Sequence, residues 1–221
     1  MLPILVGKKN TARNPKHNAK KVAARRKEIN TLLASRKAEI ETGQLIVLLE
    51  DECHLLWGDT IGYIWGRTNA RILVPIKNIR ERQTYYGAIN LVSHTFHVCP
   101  FPKGDSVYTV KFVQYLQGQY PGAKLLLIWD GAKYHQYAEM QAYLQEINEG
   151  LPPQDWKVTC ELLAPNAPEQ NPVEDIWLRG KNFLRKYFYK HKTFTQVKAA
   201  FLKFLQTTTF DFPKLSLYSY L

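Results

Sequence analysis

Residues 124–131 read KLLLIWDG, a lysine and five large apolar side chains that run straight into an aspartate. A strand with one wet face alternates apolar and polar residues, whereas a strand covered on both faces is apolar throughout. This stretch therefore predicts a central strand over 124–129, buried on both sides, with Asp130 where the chain leaves the core. Residues 45–53, LIVLLEDEC, repeat the pattern and predict a strand from Gln44 to Cys53 that runs into Asp51 and Glu52. Burying a carboxylate costs roughly several kcal/mol unless something compensates it. In α/β sheets, sites form at the carboxyl ends of strands. Two acids at two such ends can meet, and a divalent cation offsets the repulsion between them. The plainer alternatives are a solvated Asp51 opening a turn and an Asp130-Gly131 turn. The second of these turns leads through Ala132, Lys133, Tyr134 and His135 towards a helix, which disfavours a hairpin.

The surrounding sequence supplies the other layers. Val22, Ile29, Leu32, Leu33 and Ile40 recur at helical spacing and predict a helix over 16–42, ended by Gly43. Short strands are expected at Tyr63–Trp65, Ala70–Pro75, Tyr85–Val92 and Phe96–Cys99, with turns at Gly58, Gly62 and Asn69. Helices are expected over Val107–Gln119, Gln136–Glu149, Pro172–Tyr189 and Thr195–Leu205, and a further strand over Val158–Leu163. Several strands followed by alternating helices and strands imply an α/β fold, a mixed sheet flanked by helices on both faces.

A third acid lies in residues 167–177, APEQNPVEDIW. Asn171 suits an N-cap, Pro172 the first helical position, and Glu174 the third, where a capping-box acid reaches back. Val173, Ile176, Trp177 and Leu184 give this helix a buried face, which could also set Glu174 beside the two aspartates. Spacing leaves both roles open.

Composition bounds the class. The chain has 221 residues, 45% hydrophobic and 13% aromatic, enough for one domain with a real core and too apolar for disorder. No apolar run reaches the roughly 20 residues of a membrane span, and the start is too short for a secretory signal. Cys53, Cys99 and Cys160 form no paired motif, so zinc and a disulfide framework are not expected, and a reduced, cytoplasmic protein is. The net charge of +11 is concentrated at the start: residues 1–37 hold eleven Lys/Arg against one acid, Glu28. Lys8, Lys9, Arg13, Lys16, Lys20, Lys21, Arg25, Arg26 and Lys27 are therefore candidate phosphate contacts for nucleic acid, since neutralised phosphates release counterions. The plainer reading is a solvated helix.

The three acidic blocks, LIVLLEDECHL, LLLIWDGAKYH and APEQNPVEDIW, resemble those of the IS630 branch of the IS630/Tc1/mariner transposases. The resemblance covers about residues 16–190, including the basic helix, Gly62–Trp65 and Tyr86–Ala88. It implies a ribonuclease-H-like fold with a catalytic, metal-holding triad at Asp51, Asp130 and Glu174, with Glu52, His135 and Asn171 in support. Lys181, Arg185 and Lys186, later on the same helix as Glu174, would meet DNA, although a solvated face is the simpler expectation. Three departures stand out. Gly131 replaces the family's usual Asn, the interval between Asp130 and Glu174 holds 43 residues, and the family's leading helix-turn-helix modules have no counterpart here. The expected division is a basic arm over 1–43, linking to such a module, and a catalytic domain over 44–221. Three alternatives stand open for the chain: the second frame of a split gene with the module encoded upstream, a truncated copy, or a dissected domain.

Oxygen-only ligands select hard cations, Mg²⁺ or Mn²⁺, and two such ions support in-line attack on a phosphodiester. The resemblance thus implies cleavage of double-stranded DNA at transposon ends and joining to TA-type targets, by a homodimer on DNA, in a prokaryotic cytoplasm close to the nucleoid. The competing readings are a ribonuclease-H-like nuclease without strand transfer and a non-catalytic DNA-binding remnant.

Overall fold

The computed structural model describes residues 17–57, 81–131 and 138–218. The strands expected at Tyr63–Trp65 and Ala70–Pro75, together with His135, Lys8, Lys9, Arg13 and Lys16, lie outside the described residues. In order along the chain come α1 (Ala19–Ser35), α2 (Lys37–Glu41), β1 (Leu45–Leu56), β2 (Arg82–Asn90), β3 (Phe96–Phe101) and α3 (Ser106–Gln119). They are followed by β4 (Lys124–Trp129), α4 (Ala138–Ile147), β5 (Val158–Leu162), α5 (Pro172–Lys186) and α6 (Phe194–Thr207).

The strands form one sheet in the order β3-β2-β1-β4-β5. β1, β2 and β3 pair antiparallel, while β1, β4 and β5 pair parallel. Successive residues of a strand point to opposite faces, so β1 and β4 feed two cores. On one face Val47, Leu49, Leu126 and Ile128 pack with Ile176 of α5 and Phe201 of α6. On the other, Leu48, Leu125, Leu127 and Trp129 pack with Phe112 and Leu116 of α3 and Met140 of α4. Both faces of β4 are covered, which is why its sequence does not alternate.

The helix expected over 16–42 is broken at Arg36. There the φ of −108° ends α1, and the guanidinium turns to grip Glu39 at 2.5 and 2.8 Å. Gly43, at φ +73°, then turns the chain into β1. α1 is docked on the domain: Ile29 and Leu33 are buried in the α5/α6-side core. Arg25 fastens it to the sheet edge, donating to the Leu162 carbonyl at 2.6 Å and pairing with Glu161. No helix among the described residues is long and apolar enough to cross a membrane.

Candidate active site

β1 does not end at its acids, as the sequence suggests, but continues to Leu56 because β2 pairs with it from Leu48 to Leu56. β4 pairs with it only from Leu45 to Leu49. Beyond that point the two parallel strands part, leaving a notch at the carboxyl end of β4. Asp51 lies on β1 beside this notch, and Asp130 is the first residue after β4. By strand alternation Asp51 shares the face of Val47 and Leu49, the one covered by α5. Glu50 and Glu52 belong to the opposite face. Glu50 is 1% exposed, a buried acid that the sequence reading did not single out.

Two contacts set α5 over this notch. Asn171, 2% exposed, caps the helix by accepting from the Val173 N–H at 3.1 Å. Its Nδ2 donates to the Glu50 main-chain carbonyl at 2.7 Å, one residue from Asp51. The second contact is Gly87, which faces Asp51 across the β1–β2 ladder. A Cβ at Gly87 would stand 2.6 Å from the Trp177 ring and 2.5 Å from that of Phe96. Only a glycine lets Trp177 lie this close to the strand. Trp177 is three residues, nearly one turn, after Glu174, so seating it brings Glu174 down toward Asp51.

The capping question is answered by the backbone. The Asn171 N–H, which a capping-box acid would accept, donates to the Pro168 carbonyl at 3.1 Å. Glu174 is directed elsewhere: Asp51, Asp130 and Glu174 line one cleft of about 350 Å³, closed by Asn171, Gly131 and the 163–168 loop.

The cleft is electrostatically loaded. Burial pushes the Asp51 carboxyl well above the usual carboxylate range, and the charges of Glu174, Glu52 and Asp130 push the same way. Glu174 reaches solvent at the mouth, yet the protein packed around its carboxyl raises its pKa. Lys214 and Lys181 oppose that rise, and Asp130 adds to it. Burial raises Glu50 strongly, with Glu52, Asp51 and Asp130 contributing. Such a set of crowded oxygen donors suits a hard divalent cation. As the side chains stand, no group of three or more His, Cys, Asp or Glu among the described residues is drawn together tightly enough to hold an ion. The triad shares a cleft without forming a chelating set.

Of the supporting residues, Asn171 is at the site, while Glu52 projects from the other face of β1. Lys20, Lys21 and Lys27 are exposed on α1, Arg26 is half-buried, and Arg25 is engaged with the sheet edge. Lys181, Arg185 and Lys186 follow Glu174 along α5. Lys214 was missed. It donates to the Asn171 carbonyl at 3.4 Å and pairs with Asp175 at 3.0 Å, from a position 40 residues beyond Glu174 with no sequence pattern to mark it.

A sequence profile described as DDE superfamily endonuclease matches residues 46–198, a span that contains all three cleft acids. No curated protein matches the chain. Among solved structures, the chain is similar to the Mos1 transposase paired-end complex with left transposon end, at 12% identity and TM-score 0.58, covering 93% of this chain and 60% of that one. The Mos1 strand transfer complex matches at 10% identity and TM-score 0.54, covering 93% and 59%. The Mos1 mariner paired end complex with Mn matches at 13% identity and TM-score 0.50, covering 92% and 65%. The chain thus spans about three fifths of the length of these solved chains. The shared fold is the ribonuclease-H-like mixed sheet flanked by helices.

Proposed function

Because this chain belongs to the DDE superfamily endonuclease family, within the IS630/Tc1/mariner transposases, we propose that it is a catalytic domain that cuts and joins DNA phosphodiesters. The observation that carries this reading is the single cleft lined by Asp51, Asp130 and Glu174. These residues would hold Mg²⁺ or Mn²⁺, two ions in all. When bound, such ions activate a water or 3′-hydroxyl and stabilise the leaving oxygen of an in-line displacement.

The chain's own residues supply placement. Asp51 offers its carboxylate from a paired strand and Asp130 from the end of a buried one, so both are held by rigid elements. Glu174 comes from the first turn of α5, fixed by Asn171 and by Trp177 over Gly87. Lys181, about two turns further along the same face of α5, moderates the negative charge of Glu174.

The substrate would be double-stranded DNA, transposon ends first and TA-type targets second, with a homodimer bringing two ends together. Residues 44–221 would form the catalytic unit, with the basic α1 docked on it and a helix-turn-helix module supplying end recognition. The cellular place would be the prokaryotic cytoplasm, at the nucleoid. Incubating the chain with a pre-cleaved transposon-end duplex, a TA-containing target plasmid and Mn²⁺ tests the joining step. Covalent end–target products support transposition. Nicked plasmid with no joined product would favour the nuclease reading, and neither would favour the DNA-binding remnant.

A further inference from the structure

Glu174 is followed at once by a second acid, Asp175, so the first turn of α5 carries two adjacent carboxylates. Both suit the positive end of a helix dipole, which is reason enough for their place in the sequence. They point about 100° apart around the helix, and of the two Glu174 lines the cleft while Asp175 does not. A hard cation draws any carboxylate within reach. An ion in the cleft therefore meets two candidate ligands side by side on one turn.

The segment after α6 decides between them. Asp175 and Arg179 stand four residues apart, the spacing of a helical ion pair. Among the described residues they make no such pair, because the Arg179 guanidinium lies 4.7 Å from the Phe212 ring centroid. Asp175 pairs instead with Lys214 at 3.0 Å, and the same ammonium donates to the Asn171 carbonyl at 3.4 Å. The Lys214 side chain is 20% and that of Asp175 38% exposed, so the pair is better shielded than a surface ion pair. Phe212 and Lys214 belong to one short segment, fixed by three buried side chains, Phe210, Leu215 and Tyr218. Its Leu217 carbonyl accepts from Asn30 of α1 at 3.3 Å. The dipole disfavours an ammonium beside a helix N-terminus. Lys214 is therefore brought there by the burial of its neighbours and held by Asp175, rather than by the helix itself.

We infer that Lys214 is a positioning residue for the metal site: it ties the Asp175 carboxylate back to the Asn171 carbonyl and so leaves Glu174 as the one ligand that this turn presents to the cleft. The inference rests on the metal-holding reading of the cleft and adds a selector to it. Lys214 touches neither substrate nor ion and acts through Asp175. Without Lys214, the partner four residues along the helix stays engaged by Phe212. The Asp175 carboxylate is then released to compete for an ion held by Glu174.

The test is the Mn²⁺ affinity of the full chain without DNA, read from the electron paramagnetic resonance signal of the free ion. In the wild-type background Asp175→Asn should leave the affinity nearly unchanged. In the Lys214→Met background the same change should weaken it about tenfold or more, the lower end of what a lost supporting partner costs a metal site. In Lys214→Arg, which keeps a cation on Asp175, Asp175→Asn should again be silent. An equal effect of Asp175→Asn in the wild-type and Lys214→Met backgrounds would overturn the inference. Lys214 would then serve stability alone, which urea denaturation of the same variants reads separately. A second measurement needs no variant: carbodiimide labelling of the wild-type carboxyls, read by mass spectrometry. Mn²⁺ should protect Glu174 and leave Asp175 labelled, and protection of both would overturn the inference. Binding is read without DNA or cleavage, so a chain that shows the coupling but never nicks DNA keeps the selector and loses the catalytic reading. A chain that nicks DNA with Asp175 equally important in both backgrounds does the reverse. A wild type that binds no Mn²⁺ removes the metal reading and the selector together.

Discussion

The Nδ2 of Asn171 donates a 2.7 Å hydrogen bond to the main-chain carbonyl of Glu50, while its Oδ1 caps α5 through the Val173 N–H. One buried side chain thereby joins the helix that bears Glu174 to the strand that bears Asp51. The two bonds can be separated. Asn171→Ser keeps an N-cap oxygen but is too short to reach Glu50, so a buried carbonyl loses its donor. The expected cost is about 1–3 kcal/mol of unfolding free energy, most of it shared with Asn171→Ala. Urea denaturation of both variants measures it, and a Ser variant as stable as wild type would show that only the cap matters.

Gly87 should tolerate no side chain while Trp177 is in place. Gly87→Ala is expected to destabilise by about 1–3 kcal/mol, as overpacking does. Trp177→Leu removes the ring atoms that the new methyl would meet, so the double variant should be more stable than the sum of the single effects. A double-mutant cycle gives the coupling, and strict additivity would mean that the two residues do not share this contact.

Glu50 carries a pH signature. Burial raises its carboxyl, so the folded chain holds this proton more tightly than the unfolded chain. The resulting stability is fully present below the ordinary glutamate range and is lost as pH rises towards the raised value. Glu50→Gln mimics the neutral acid. At pH 8 the variant should be more stable than wild type by at least about 1 kcal/mol, with the gap closing in acid. A gap that widens in acid would reverse the assignment.

Glu39 should behave oppositely. Arg36 and Lys124 bond to it and hold its carboxyl down at about 2. Its contribution is present above the ordinary glutamate range and is lost as pH falls through about 2. After allowance for solvent screening at this partly exposed site, Glu39→Gln should cost about 1–2 kcal/mol at pH 7. Denaturation at pH 7 and pH 2 checks both the size and the loss.

Much of this was legible in the sequence where the pattern is local. The apolar runs of β1 and β4 declare strands buried on both faces, and Asn171-Pro172 declares the start of α5. What depends on partners distant in sequence was not legible. β1 passes through its acids because β2 pairs with it as far as Arg82. The notch exists because β4 stops at Trp129, and Lys214 arrives from a later turn of the chain. The helical spacing of Ile29 and Leu33 was legible within the basic start, and these two buried side chains fasten α1 to the core.

The central claim, that Asp51, Asp130 and Glu174 act together on DNA through bound metal, is tested most directly by nicking of supercoiled plasmid in Mn²⁺ by wild type and Asp130→Asn. The substitution keeps the shape of the side chain and removes its charge. The account predicts nicking by wild type that stops in excess chelator. It also predicts a rate at least about 100-fold lower for Asp130→Asn, beyond the roughly 10–100-fold typical of outer supporting partners. Undiminished nicking by a folded Asp130→Asn chain, or by wild type in chelator, would contradict it.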